Sequence, residues 1–218
     1  MNILAVLSVL VLMSINIAAA DDIKRDILPP CNVHGCSVVA VKVVLKEIAE
    51  TKDIKIRIGS LVVGIPANVT RIDIAKSSAL TVFRYETAPH IIISAETEET
   101  FQMIKLTSKP ISLSEAMEII FTKTLKDSDV TRKYDKELLN NLMWLKKGFM
   151  EGGKEAYVYE KGRVKIYYLP NGGPPYRNLA WAIDSEHPNF ALRVESDLSV
   201  TDFAQIIYSI TSIKTKEK

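Results

Sequence analysis

The feature that most constrains this chain is a change of period. From Ile54 to Ile58, isoleucine alternates with Lys55 and Arg57, which gives an extended segment one apolar face and one charged face. Between residues 112 and 147 the apolar positions recur at helical spacing instead, and beyond residue 155 the alternation returns. Strand and helix patterns kept in separate blocks predict an α+β fold, an antiparallel sheet packed by helices as an α/β sandwich.

The elements follow from local signals. Gly59-Ser60 turns the chain, and Leu61 to Ile65 reads as a second strand that ends at Pro66. Ala79 to Tyr85 and His90 to Ala95 read as two more, so that this half looks like an antiparallel meander. Ser112 with Glu115 makes a capping box for a helix to about Lys126. Asp135 caps another, with Leu138, Leu139, Leu142 and Leu145 as its apolar stripe. Lys146 and Lys147 sit at its C-terminal end, where positive charge meets the helix dipole, and Gly148 or Gly152-Gly153 is expected to stop it. Glu155 to Tyr159 and Arg163 to Leu169 form a hairpin, Leu179 to Ile183 and Asn189 to Glu195 another. Ser199 caps a C-terminal helix that buries Phe203, Ile206, Ile207 and Ile210. Residues 38–50 carry both a strand signal, in their valines, and a helical face, so they stay open between the two.

Residues 1–20 carry no charge, and Ile3 to Met13 is apolar but for Ser8. Ala18 and Ala20 supply small residues before Asp21, which is the layout of a cleavable signal peptide, although no Lys or Arg precedes the apolar run. The alternative is an uncleaved anchor, since about twenty residues can span a bilayer. Export to the periplasm or outside the cell is therefore expected, with no membrane span after cleavage. The expected organisation is a signal peptide (1–20), an N-terminal segment (21–53), one α+β domain (54–213) and a tail (214–218). A division into two domains near 127–135 is the alternative. In an oxidising compartment the two cysteines, Cys31 and Cys36, are expected to form a disulfide. A metal site with His34 would strain tetrahedral geometry.

The stretch Ile56-Arg-Ile-Gly-Ser-Leu-Val-Val-Gly-Ile-Pro66, taken with the closing Leu198-Ser-Val-Thr-Asp-Phe-Ala-Gln-Ile-Ile-Tyr-Ser-Ile210, resembles the layout of PsbP-like α/β sandwiches. The resemblance implies an early strand ending in proline, a twisted antiparallel sheet and a final helix. It transfers no functional residue; members of that fold class are often non-catalytic binding or assembly proteins.

Known chemistries leave few traces. The formal charge of +2 is too close to balance to argue for nucleic acid. The cluster Lys123, Lys126, Arg132, Lys133 and Lys136 is interleaved with acids and reads as a solvated face. There is no His-Glu-x-x-His, no Gly-x-Ser-x-Gly and no phosphate-binding Gly-x-x-x-x-Gly-Lys. Asp127-Ser128-Asp129 opens like a calcium loop, but Arg132 stands where its glycine belongs and Leu138 where its glutamate belongs. No cofactor is expected. Asp184-Ser185-Glu186-His187 could move protons but sits in a turn, where polar residues are expected anyway. Asn68-Val69-Thr70 matches a glycosylation acceptor, which matters only in a eukaryotic secretory pathway. Tyr167, Tyr168, Tyr176 and Trp181 flank the Gly/Pro loop 170–175 and are expected to form a partner-binding surface, because Tyr and Trp anchor interfaces. The functional expectation is a non-catalytic exported protein with a protein partner, such as an immunity or inhibitor protein against a delivered toxin, or an envelope assembly factor. The alternative is an exported hydrolase using His90 or His187 with nearby carboxylates.

Overall fold

The computed structural model describes residues 38–43, 53–75, 80–86, 89–99, 101, 110–124, 133–150, 155–170 and 178–213. The signal-peptide reading, both cysteines, Asp127, Asp129 and Tyr176 lie outside them.

The described residues form an α+β architecture with two sheets and three helices. In chain order the elements are β1 (Val41–Lys42), β2 (Asp53–Ile58), β3 (Leu61–Pro66), β4 (Arg71–Ala75), β5 (Leu80–Arg84) and β6 (His90–Thr97). Helices α1 (Leu113–Thr122) and α2 (Lys136–Met150) follow. Then come β7 (Tyr157–Lys161), β8 (Val164–Pro170), β9 (Asn178–Asp184), β10 (Phe190–Ser196), α3 (Val200–Ser209) and β11 (Thr211–Ser212). The larger sheet has the order β1-β7-β8-β9-β10-β6-β5-β4. It is antiparallel except where β1 runs parallel to β7. The smaller sheet has the order β11-β3-β2. Strands β6 and β10 pair over seven residues, Phe190 opposite Thr97 through Ser196 opposite Ile91, so the two strand-rich halves share one sheet.

The central strands of that sheet are covered on both faces. Along β8, Tyr167 and Leu169 point to one side and Val164, Ile166 and Tyr168 to the other, as the alternation of a strand requires. The first side packs under α1 and α2, with Leu113, Met117, Ile120, Leu138, Leu142 and Met150 in its core. The second packs under the small sheet and α3, where Leu61, Val63 and Ile65 meet Phe203, Ile206 and Ile207. The early strand ending at Pro66, the antiparallel sheet and the final helix are all present.

Several expectations change. The first strands are not one meander: β2 and β3 belong to the small sheet, and only β4, β5 and β6 continue along the large one. Strand β4 and the two-residue β11 escaped the sequence reading because each is short and lies at an edge or a chain end. Residues 41–42 form a strand, which settles that part of the open segment; 44–50 lie outside the described residues. Helix α1 stops at Thr122 rather than Lys126. The Thr122 hydroxyl turns back onto the Glu118 carbonyl at 2.7 Å, and Lys123 is already extended. Helix α2 runs through Gly148 to Met150, because a glycine with open space around it weakens a helix by only about 1 kcal/mol and does not end it. Lys146 does not sit on its own helix's dipole as an exposed cation. It is fully buried, and its Nζ donates to the Lys123 carbonyl at 2.8 Å, satisfying the C-terminal end of α1.

The caps at Ser112, Asp135 and Ser199 are formed as expected, each side chain accepting the backbone N–H three residues on. Gly59 has a φ of +58°, and a Cβ there would lie 2.8 Å from the Phe190 ring, so the β2–β3 turn needs glycine for both conformation and space.

Candidate binding cleft

Of the residues expected to meet a partner, the three that are described are interior. Tyr167, Tyr168 and Trp181 are 0%, 2% and 1% exposed. This corrects the expected surface, and the cause is the two-sided sheet: an exposed aromatic row needs one bare face, and β8 and β9 have none. Tyr167 donates to Glu118 at 3.0 Å beneath α1. Trp181 donates through Nε1 to Glu96 at 3.0 Å and packs on Phe121 and Phe149. Tyr168 stacks with Tyr157, Tyr159 and Phe203 on the opposite face.

The histidine sites are also resolved into roles. His187 is exposed on the β9–β10 turn, beside an open concavity that Arg57 and Phe190 share. The neighbouring carboxylates Asp184 and Glu186 both pair with Arg163, and Asp184 also accepts the Glu186 N–H. His90 lies 2.6 Å from Arg84 Nη1 through its Nε2, and a guanidinium only donates, so Nε2 acts as the acceptor. Neither imidazole is set against a carboxylate as a base–orienter pair. Among the described residues no group of three or more His, Cys, Asp or Glu is placed to hold a metal ion.

Two other concave regions carry carboxylates. The first is a groove at α1, where Glu115 and Glu118 each have a basic partner on the protein. Glu115 receives Lys133 at 2.8 Å and Tyr134 at 2.6 Å, which hold its carboxyl below the usual range. Burial pushes the Glu118 carboxyl up, but Lys165 at 2.5 Å, with Tyr167 and Thr122, outweighs it and holds the group low. Lys133 belongs to the expected basic cluster, so that part of the cluster serves an internal ion pair; Lys126 and Arg132 lie outside the described residues.

The second is a cleft of about 200 Å³ where the small sheet, α3 and the ends of β5 and β10 converge. Asp53 opens β2 and lines it together with Gly64 and Pro66 of β3. Tyr85 and Pro89 contribute from the β5–β6 connection, and Leu198, Asp202, Gln205 and Ile206 from the start of α3. Asn68 stands exposed at the same site. Among the described residues the lining therefore combines an apolar floor with two carboxylates and three neutral polar side chains.

The packing beneath explains why the cleft holds its shape. Gly64 lets β3 approach both Asp53 and α3: a Cβ would lie 3.0 Å from Asp53 Oδ2 and 3.1 Å from Ser209 Cβ. Its N–H donates to Ser209 Oγ at 2.8 Å, which pins α3 to the small sheet. Tyr85 donates to the Pro66 carbonyl at 3.3 Å. Burial raises the Tyr85 hydroxyl to about 12, and the Asp53 charge adds to the rise, so the phenol stays protonated and donating at neutral pH. The wall after β10 is held on several sides. Asp197 accepts the His90 N–H at 2.7 Å, and Ser196 Oγ accepts the Leu198 N–H at 3.1 Å. The Leu198 carbonyl accepts from Asn178 Nδ2 at 2.6 Å, and Asn178 Oδ1 in turn accepts from Tyr168 at 2.8 Å. Tyr168 thus acts on the cleft from below, through Asn178, rather than by touching a partner.

Sequence reasoning missed this site. In the sequence Asp202 stands in the first turn of a capped helix and Asp53 just before an alternating strand, and neither carries a motif. Their meeting depends on β3 packing against α3, some 150 positions apart. One local signal was present: Gly64 inside an apolar strand marks a place where something approaches the backbone closely.

No family model matches the chain, and no curated protein matches it. A crystal structure from Bacteroides thetaiotaomicron VPI-5482, at 1.50 Å resolution, is similar over 73% of this chain and 47% of that one, with 10% identity and a TM-score of 0.30. The chain spans about half the length of that protein, and a likeness of this degree carries no argument about fold or function. Among the described residues no helix is long and apolar enough to cross a membrane.

Proposed function

We propose that this is an exported, non-catalytic binding protein that captures a protein partner through the cleft between the small sheet and α3. Its place is the periplasm or the extracellular medium, and its kind is an immunity or inhibitor protein, or an envelope assembly factor. The observation that carries the binding reading is the cleft itself: an apolar floor with convergent polar groups, held in shape by hydrogen bonds donated by Gly64, Tyr85 and Asn178. Its size supports a macromolecular partner over a free small molecule. Sites for drug-sized ligands usually enclose roughly 300–1,000 Å³, whereas this one, at about 200 Å³, suits a single inserted side chain. The export part of the reading rests on the uncharged, alanine-ended residues 1–20.

The test is capture with a filled cleft. Wild-type protein and Gln205→Trp are each immobilised and exposed to extract of the native envelope. A partner retained by the wild type and lost from Gln205→Trp, with unchanged thermal stability of the variant, is the expected result. Equal retention by both would refute the cleft as the capture site.

A further inference from the structure

The large sheet ends on β4, and among the described residues no strand lies beyond it. A terminal strand presents backbone N–H and C=O groups that another chain can pair with, and such edges are usually guarded by Lys, Pro or a bulge. Arg71-Ile-Asp-Ile-Ala75 contains no Lys, Pro or Gly, and it pairs with β5 residue for residue. Ile72 and Ile74 are 53% and 72% exposed, so this outer strand holds two apolar side chains in solvent. They share the face of Phe83, which lies opposite Ile72 in the core beneath the small sheet. Arg71 and Asp73 share the other face and carry opposite charge.

That charge pattern selects what can pair with β4. Two copies joined antiparallel about a two-fold axis normal to the sheet set each residue opposite one of the same face. Centred on Asp73, the pairing sets Asp73 against itself, and like charges directly opposite are destabilising. Centred on Ile72, over residues 70–74, it sets Arg71 against the partner's Asp73 and Asp73 against the partner's Arg71. Ile72 then meets its own copy, and Ile74 lies diagonal to the partner's Ile72. Arg84 already holds Asp73 at 2.7 Å from β5, so the carboxylate stays in place while the Arg71 side chain, 70% exposed, is free to reach across. Strand β2, at the end of the small sheet, fails the same test. Either register that pairs five of its residues sets Lys55 against a cation, the partner's Lys55 or Arg57.

We infer that β4 is the interface between two copies of this chain, joined edge to edge in the register centred on Ile72, so that their large sheets run on as one. A contact of one short strand falls below the roughly 1,200–2,000 Å² that stable interfaces bury, so the association is reversible. It goes beyond the capture role proposed above and is independent of it, since the cleft takes no part.

The experiment is sedimentation equilibrium of the purified protein alone, with amide NMR at the same concentrations. A dimer with a dissociation constant on the order of 10–100 µM is expected. Raising the concentration should shift the amides of residues 70–75 and leave those of 53–58 in place. Ile72→Lys sets two cations together at the two-fold axis and should weaken association about tenfold or more. Arg71→Asp turns two opposite-charge pairs into like-charge pairs and should weaken it about tenfold, whereas Arg71→Lys should stay within about threefold of the wild type. Circular dichroism checks that each variant is folded; Ile74→Lys replaces Ile72→Lys should that variant fold poorly. A monomer at every concentration up to about 1 mM would overturn the inference. So would a dimer that the lysine variant leaves intact, which places the interface elsewhere. A dimer that tolerates Arg71→Asp would overturn the register, and with it the choice of a second copy. None of these results bears on capture of an envelope partner.

Discussion

Trp181→Ala should remove about 3–5 kcal/mol of folding stability, the usual cost of emptying a buried tryptophan site. The ring is 1% exposed on β9, with Phe149 at 4.8 Å and Phe121 at 5.9 Å between centroids. It therefore joins both helices to the sheet. The substitution also strips a hydrogen bond from Glu96, which is 3% exposed and left with Arg193 at 2.9 Å. Losing a bond to a buried charge costs about 1.5–3 kcal/mol by itself. Trp181→Phe separates the two effects, because it retains a ring and deletes only the donor, and it should cost less than the alanine. Against a total stability of about 5–15 kcal/mol, the alanine variant should be marginal. Urea denaturation followed by circular dichroism measures both. A loss below about 1 kcal/mol for Trp181→Ala would mean that this ring does not hold the helical layer to the sheet.

Tyr168→Ala should be comparably damaging, at about 3–5 kcal/mol, by leaving a cavity between Phe203 and the tyrosines of β7. An exposed contact residue would cost almost nothing on the same change. The informative partner is Tyr168→Phe. It keeps the packing but deprives Asn178, fully buried, of its donor, at about 1–2 kcal/mol. Because Asn178 also holds the Leu198 carbonyl, this variant should remain folded yet capture partner less well. Unfolding by urea and partner capture, measured on the same preparations, should separate in Tyr168→Phe and fall together in Tyr168→Ala. Full stability of Tyr168→Ala would contradict its interior placement.

Much of the fold was legible because its signals are local. The caps at Ser112, Asp135 and Ser199 announce helices within four residues, and the alternation of Ile54, Ile56 and Ile58 announces a strand within five. Pairing was less legible. Nothing near Pro66 says that β3 leaves one sheet before β4 joins another, since that depends on β11 and α3 arriving from the far end of the chain. The tyrosines show the same limit. Tyr167 and Tyr168 are adjacent, so they must face opposite ways, and a single exposed surface could never have held both. The run Ile166-Tyr-Tyr-Leu-Pro170 was the available warning, for a nearly continuous apolar strand indicates burial on both faces. The cleft was the least visible feature, because its two carboxylates come from opposite ends of the described chain and carry no motif.

The most direct measurement of the central claim is hydrogen exchange on the captured complex against the free protein. Capture through the cleft predicts slowed exchange at residues 53–56, 64–68, 85–86 and 198–206, with the α1 groove and the β9–β10 turn unchanged. Protection confined to the groove or to that turn, with the cleft exchanging as it does in the free protein, would contradict the account.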